Sequence, residues 1–215
     1  MEQERGLREF LLRSTKELGI SLTEQQAQQF LTHLSQLLTW NRTTNLTTII
    51  DPYEIVSKHF IDSLTGLSAF HFPSQSLVID AGSGAGFPGI PLKIVRPDLR
   101  LVLVEPSSKK SSFLRFIVGA LQLEQVSIFT GGLQQYVQEP HSLADVMVVR
   151  ALRFEEIVEP ATVVMKANGR VLLYRTEKMV KCASSTFHVE SNNEFCLPMH
   201  HGSRVVTALT KVPSS

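Results

Sequence analysis

The stretch that decides the fold is VIDAGSGAGFPGIP, residues 78–91. It opens as a β-prone apolar run ending at Asp80, after which Gly82, Gly84 and Gly86 stand at alternate positions. Glycine tolerates positive φ and, having no Cβ, lets a ligand lie directly against the backbone. A helix begins near Pro88, and the first amides of a helix lack partners within it, so they face the loop. Glu105 closes the following β-rich run, about 20 residues beyond the loop, where a carboxylate commonly meets ribose hydroxyls. Asp80 is placed to orient the loop or a ligand's amino group, or simply to cap the turn.

Outward from this loop, short apolar runs alternate with helical ones. LVID (77–80), LVLVE (101–105), VSIF (126–129), DVMVV (145–149) and VLLY (171–174) read as strands, with helices expected at 88–96, 107–121 and 153–167. Nearly continuous apolar strands separated by helices imply a parallel sheet covered on both faces. Residues 184–190 and 204–211 read as two further strands with no helix between them, an antiparallel edge. The first third differs. Apolar residues at helical spacing mark helices over 4–18 and from Thr23 to about Trp40, and a third opens at Asp51 with Pro52 in its first turn. That third helix turns Ile55, Val56, Phe60, Ile61 and Leu64 inward, and residues 41–50 between helices read as an extended connection. The chain therefore divides into an N-terminal helical extension, 1–70, and an α/β domain, 71–215.

With 215 residues, 43% hydrophobic and 19% charged, the chain has the makeup of a globular protein with a sizeable core. Its net charge is +1, so no strong basic excess announces a nucleic-acid partner. Residues 1–70 hold six basic against eight acidic side chains and 71–215 hold fifteen against twelve, giving −2 and +3. Cys182 and Cys196 form no CxxC and have no metal-like histidine spacing, so no metal is expected. No stretch reaches the ~18 apolar residues of a membrane helix, and the charged N-terminus lacks a signal core. A cytoplasmic monomer is the expectation.

Which ligand the loop takes is open to more than one reading. Gly84, Gly86 and Gly89 satisfy GxGxxG, the dinucleotide pattern of a nicotinamide oxidoreductase. In that pattern, however, the first glycine directly follows the strand; here that place belongs to Gly82, and counting from it puts Phe87 at the third position. The DxGxGxG form starting at Asp80 suits S-adenosylmethionine better, because that cofactor has no pyrophosphate to cradle. A nucleophile elbow around Ser83 would need glycine at 81 and 85, and both are alanine.

Four ordered blocks carry a resemblance: LLTWNRTTNLT (37–47), HFIDSL (59–64), AGSGAGFPGIP (81–91) and VVRAL (148–152). From about Leu34 to Leu173 the chain resembles the bacterial glucose-inhibited division protein B family, the small-subunit rRNA guanine-N7 methyltransferases. The resemblance implies a class I methyltransferase, with a mostly parallel Rossmann-like sheet behind a helical extension. It also implies S-adenosylmethionine as donor, and N7 of a guanine in 16S rRNA of the small ribosomal subunit as acceptor. Carried over by position, cofactor contacts fall on Gly82, Phe87, Leu133, Gln134 and Arg150. Two positions depart from the family. It usually has an acid where Gln134 stands, and an aromatic-Lys-Gly run where this chain has Tyr174-Arg175-Thr176.

The residues after the fourth strand fit such chemistry. Exocyclic-amine methylation would call for Asn or Asp followed by two prolines, and pyrimidine carbon-5 methylation for a nearby cysteine; this chain offers Arg150-Ala151. Guanine N7 needs no deprotonation, so alignment and a complementary field suffice. Arg150, the catalytic candidate, can donate to guanine O6 or N7 or to the donor's carboxylate, or simply form a salt bridge at the strand end. His59 and Asp62 share a helix face, as a surface pair, an RNA contact or a closure over the donor. Trp40, Asn41 and Asn45 are candidates for a pocket wall, with Trp40 equally readable as plain core. For phosphates, residues 100–115 carry Arg100, Lys109, Lys110 and Arg115 against Glu105, a local excess of +3, joined by Arg42, Lys58, Arg153 and Arg175. Rival readings are a methyltransferase acting on a small molecule, and a nucleotide-binding module that has lost catalysis.

Overall fold

The computed structural model describes residues 2–182 and 184–212. Helices α1 (Glu2–Glu17) and α2 (Glu24–Thr44) come first, followed by α3 (Pro52–Ile55), a π-helical stretch Val56–Ile61 and α4 (Asp62–Ala69). Thr23 and Gln26 form a reciprocal capping box at the start of α2. Asp51 caps α3 by accepting from the Glu54 amide at 2.9 Å, with Pro52 in the first turn. The extended connection is shorter than its polar composition implies. Asn41 to Thr44 remain helical, because Asn45 caps α2 in the left-handed region (φ 51°) while the Asn41 side chain both accepts from and donates to the Thr47 backbone.

Strands β1 (Leu77–Ala81), β2 (Arg100–Glu105), β3 (Val126–Thr130), β4 (Ala144–Arg150), β5 (Met165–Arg175), β6 (Phe187–Cys196) and β7 (Ser203–Lys211) form one sheet ordered β3-β2-β1-β4-β5-β7-β6. The first five are mutually parallel, and β7 and β6 close the edge antiparallel, as expected. Between them run α5 (Gly89–Val95), α6 (Ser108–Ala120), the short α7 (Leu133–Tyr136), which the sequence pattern did not signal, and α8 (Phe154–Val164). Helix α8 ends earlier than the expected 167: the run Thr162-Val163-Val164 loses χ1 freedom in a helix and favours the strand that follows. The first tail strand runs to Cys196 rather than stopping at 190.

Every residue of β1 is buried, so its side chains serve both faces of the sheet. Val78, Leu101, Leu103, Val148 and Leu172 face a cluster containing Phe10, Leu11, Phe30, Leu37, Phe60, Leu64 and Phe113, so the N-terminal helices share a core with α5 and α6. Ile79, Val102, Val104, Met147 and Val149 face the opposite cluster with Phe154, Ile157 and Ala161 of α8. The Gln26 side chain donates to the carbonyls of Ile94 and Val95, tying α2 to the last turn of α5. Among the described residues, no helix is long and apolar enough to cross a membrane.

Candidate active site

The strand order reverses at β1, whose neighbours are β2 and β4, and open α/β sheets bind ligands outside the carboxyl ends of strands at such a point. There the amides of Gly82 and Ser83 both donate to the Val104 carbonyl, at 2.9 and 3.1 Å, folding the loop over β2. Gly84 adopts φ +59°, and a Cβ placed on it would meet nothing within 4 Å, so this residue opens onto free space. At Gly82 (φ +74°) a Cβ would press on the Leu152 side chain at 3.0 Å. The glycine loop, Glu105, Leu133, Gln134 and Arg150 line one crevice of about 410 Å³.

Asp80 lies beneath this crevice rather than in its wall. It is fully buried, and its Oδ2 accepts from the Gly89 amide at 2.9 Å, while Oδ1 has no partner. Burial pushes its carboxyl up to about 7, against the opposing pull of the Gly89 amide and Arg150. Gly86 and Phe87 do not line the crevice either. The Phe87 ring is buried and stacks with His59 at 4.7 Å and His33 at 5.1 Å, with the Arg150 guanidinium 5.2 Å from its centroid. The Gln134 amide donates to the Glu156 carbonyl at 3.1 Å.

A second, larger cleft of about 790 Å³ adjoins the first, and Arg150, Ala151 and Leu152 belong to both walls. Ala151 sits at φ +69°, a region non-glycine residues seldom occupy and one where functional sites often store strain. Lys58, Arg150, Arg153, Arg175 and Arg204 line the cleft against Glu155 and Glu177, five cations to two carboxylates. Lys110, expected among the phosphate contacts, lines the glycine crevice instead. Arg42, Lys109 and Arg115 are exposed and line neither cavity; Arg115 donates to the Thr130 hydroxyl at 2.7 Å.

Two expectations are corrected. His59 and Asp62 are not a surface pair. His59 is 9% exposed, is held to the Thr47 hydroxyl at 2.9 Å, and has its pKa lowered to about 3 by burial and then by Arg150. A neutral ring offers no charge to a phosphate. Asp62 is fully buried between Arg150 (3.3 Å) and Arg204 (2.5 Å). Trp40, Asn41 and Asn45 line neither cavity: Trp40 packs on Phe113 and Phe116, and the two asparagines close the exit of α2. Sequence reasoning also missed Arg204. No local pattern marks it; only the register that sets Arg175 beside Val205 carries it to the site.

The sequence model of the GidB family, described as rRNA small subunit methyltransferase G, matches residues 25–205. A ribosomal RNA small subunit methyltransferase G from Roseiflexus sp. (strain RS-1) is 39% identical over 168 residues, covering 76% of this chain and 71% of the relative. The protein of the same name from Staphylococcus aureus (strain JH9) is 33% identical over 213 residues, covering 94% and 89%. Among solved structures, TrmN from Thermus thermophilus superposes with a TM-score of 0.57 at 12% identity, over 71% of this chain and 48% of that one. MtNAS in complex with MTA and tNA superposes with a TM-score of 0.60 at 14% identity, over 86% and 73%. At such identities the structures speak to the fold alone. Fold and site together define a Rossmann-like class I methyltransferase. The chain belongs to the GidB family of rRNA small subunit methyltransferases G.

Proposed function

We propose that this protein transfers a methyl group from S-adenosylmethionine to N7 of a guanine in the 16S rRNA of the small ribosomal subunit. The observation that carries the reading is the meeting of two cavities at Arg150-Ala151-Leu152, one floored by the glycine loop and one whose charged lining is mainly cationic. The residues of the first fit the cofactor of this class. Gly84 leaves room that a side chain would fill, Glu105 presents a carboxylate at the end of β2, and Leu133 adds an apolar wall.

When bound, S-adenosylmethionine supplies an electrophilic methyl carbon on a positively charged sulfur, toward which the N7 lone pair of guanine needs no prior deprotonation. The Glu105 carboxylate would accept from the donor's ribose hydroxyls, and the backbone around Gly82 and Gly84 would permit its close approach. Arg150 faces both cavities and donates to the guanine edge, where O6 and N7 are acceptors. Its fixed charge aligns the base and complements the field in which transfer occurs. No general base is required, consistent with Asp80 being turned into the fold. Lys58, Arg153, Arg175 and Arg204 favour a polyanion in the larger cleft. On this reading a monomer in the cytoplasm suffices, which is supported by one chain lining both cavities and by a ribosomal substrate.

Incubation of the purified protein with methyl-labelled S-adenosylmethionine and small subunits, followed by cleavage mapping of N7-methylguanine, tests this. Label confined to one guanine of 16S rRNA is expected, with Arg150→Ala folded but at least about 100-fold slower. Label recovered only in small molecules, or full activity in Arg150→Ala, contradicts the proposal.

A further inference from the structure

The stretch Val56–Ile61 and the start of α4 lie outside the repeating strand–helix pattern, yet they reach Arg150. The Lys58 carbonyl accepts from Arg150 Nη1 at 3.2 Å, and Asp62 Oδ2 accepts from the same nitrogen at 3.3 Å. The other carboxylate oxygen, Oδ1, accepts from Arg204 Nε at 2.5 Å, and Arg204 also donates to the Arg175 carbonyl at 3.4 Å. One buried anion thus serves two cations, leaving one positive charge in excess beside the larger cleft.

Such a cluster is not explained by stability alone. Desolvating charges offsets much of what their attraction returns, and well-packed apolar residues often do as well. Burial lowers the pKa of Arg150, and Asp62 is the first influence that opposes this. Both polar contacts fall on a single nitrogen of Arg150, and the Phe87 ring lies 5.2 Å from its central carbon. The guanidinium is therefore held at one corner while the residue lines both cavities. π-Helical turns recur at functional sites, and this one brings Lys58 and Asp62 to the same guanidinium nitrogen.

We propose that Asp62 is a positioning residue for methyl transfer. It fixes the guanidinium of Arg150 while Arg204 holds the carboxylate from β7, so the helical segment 52–69 sets geometry at the reaction site. This rests on the proposed role of Arg150 toward the guanine.

The test is a double-mutant cycle on small-subunit methylation, with Asp62→Asn, Arg150→Ala and the pair. Asp62→Asn is expected to lower kcat about 100-fold, as misplacement near 1 Å can, with KM for S-adenosylmethionine within about threefold of wild type. In the Arg150→Ala background the same change is expected to add less than about threefold, because nothing remains to be positioned. If Asp62→Asn does not melt cooperatively, Arg204→Ala, which leaves the Asp62–Arg150 pair in place, replaces it in the cycle with an expected loss of about tenfold in kcat, again absent beside Arg150→Ala. Wild-type kcat in Asp62→Asn, or losses that multiply independently of Arg150, would overturn the proposal as a merely structural role. A wild-type protein that transfers no label to rRNA overturns the proposed activity and this inference with it.

Discussion

The backbone amide of Gly84 donates to Oε2 of Glu105 at 2.8 Å, latching the loop that leaves β1 onto the carboxylate that ends β2. The other oxygen of Glu105 accepts from the Ser107 amide at 2.9 Å, at the entrance to α6. One side chain, 4% exposed, therefore shapes the loop and presents its remaining lone pairs to the crevice.

Glu105→Gln turns one of these acceptors into a donor facing an amide donor. Hydrogen bonds to charged groups are worth about 1.5–3 kcal/mol, so the dissociation constant for S-adenosylmethionine should rise roughly 10- to 100-fold by calorimetry. An unchanged constant would remove Glu105 from the donor site.

At Gly84 the effects on folding and binding separate. An alanine there is strained by its positive φ, about 1–2 kcal/mol, but its Cβ meets no neighbour within 4 Å. Gly84→Ala should melt only a few degrees below wild type while losing donor affinity at least about tenfold. Intact affinity in a folded variant would mean that the ligand does not lie on this residue.

Burial gives the protein a pH signature. It lowers the pKa of His33 to about 4 and of His59 to about 3, from an ordinary value near 6.5. The unfolded chain binds protons there that the folded chain does not, so this stability is complete above pH 6.5 and is lost as pH falls below it. Asp80 acts in the opposite sense. Its carboxyl, raised to about 7 from 3.8, keeps a proton in the fold, and stability falls as pH rises through that window. Between about pH 4.5 and 6, two histidines outweigh one carboxyl by about one proton. These three groups therefore make stability rise by about 1.4 kcal/mol per pH unit. Urea unfolding of His59→Gln should remove about that much slope relative to wild type; equal slopes would contradict the assignment.

Arg42, Lys109 and Arg115 are exposed outside both cavities. If they meet phosphates, their joint replacement by alanine lowers the slope of log affinity against log salt by about 0.7–0.9 for each phosphate no longer neutralised. Affinity for S-adenosylmethionine should stay unchanged. A wild-type salt slope would exclude them from the RNA path.

The strands were legible because β1, β2 and β4 are apolar on both faces and stand out against polar connections. The glycine loop and Glu105 were legible because each role needs a residue type at a fixed offset along the chain. What failed to show depends on distance. Asp62 read as surface because a buried charge is tolerated only with its partners, and these lie 88 and 142 residues further on. Arg204 lies in a tail without motifs, and antiparallel register alone brings it to the cleft. The π-helical stretch and the short α7 leave no periodic trace, since each spans too few residues to repeat.

The roles given to Arg150, Asp62 and the basic cleft all depend on an adenosyl donor occupying the crevice formed by the glycine loop, Glu105 and Leu133. Diffraction from crystals grown with S-adenosylhomocysteine decides whether it does. Density for the ligand against Gly84, with its ribose on Glu105, is expected; density only in the larger cleft beside Arg175 and Arg204, or none in the crevice at saturating ligand, would rule this out.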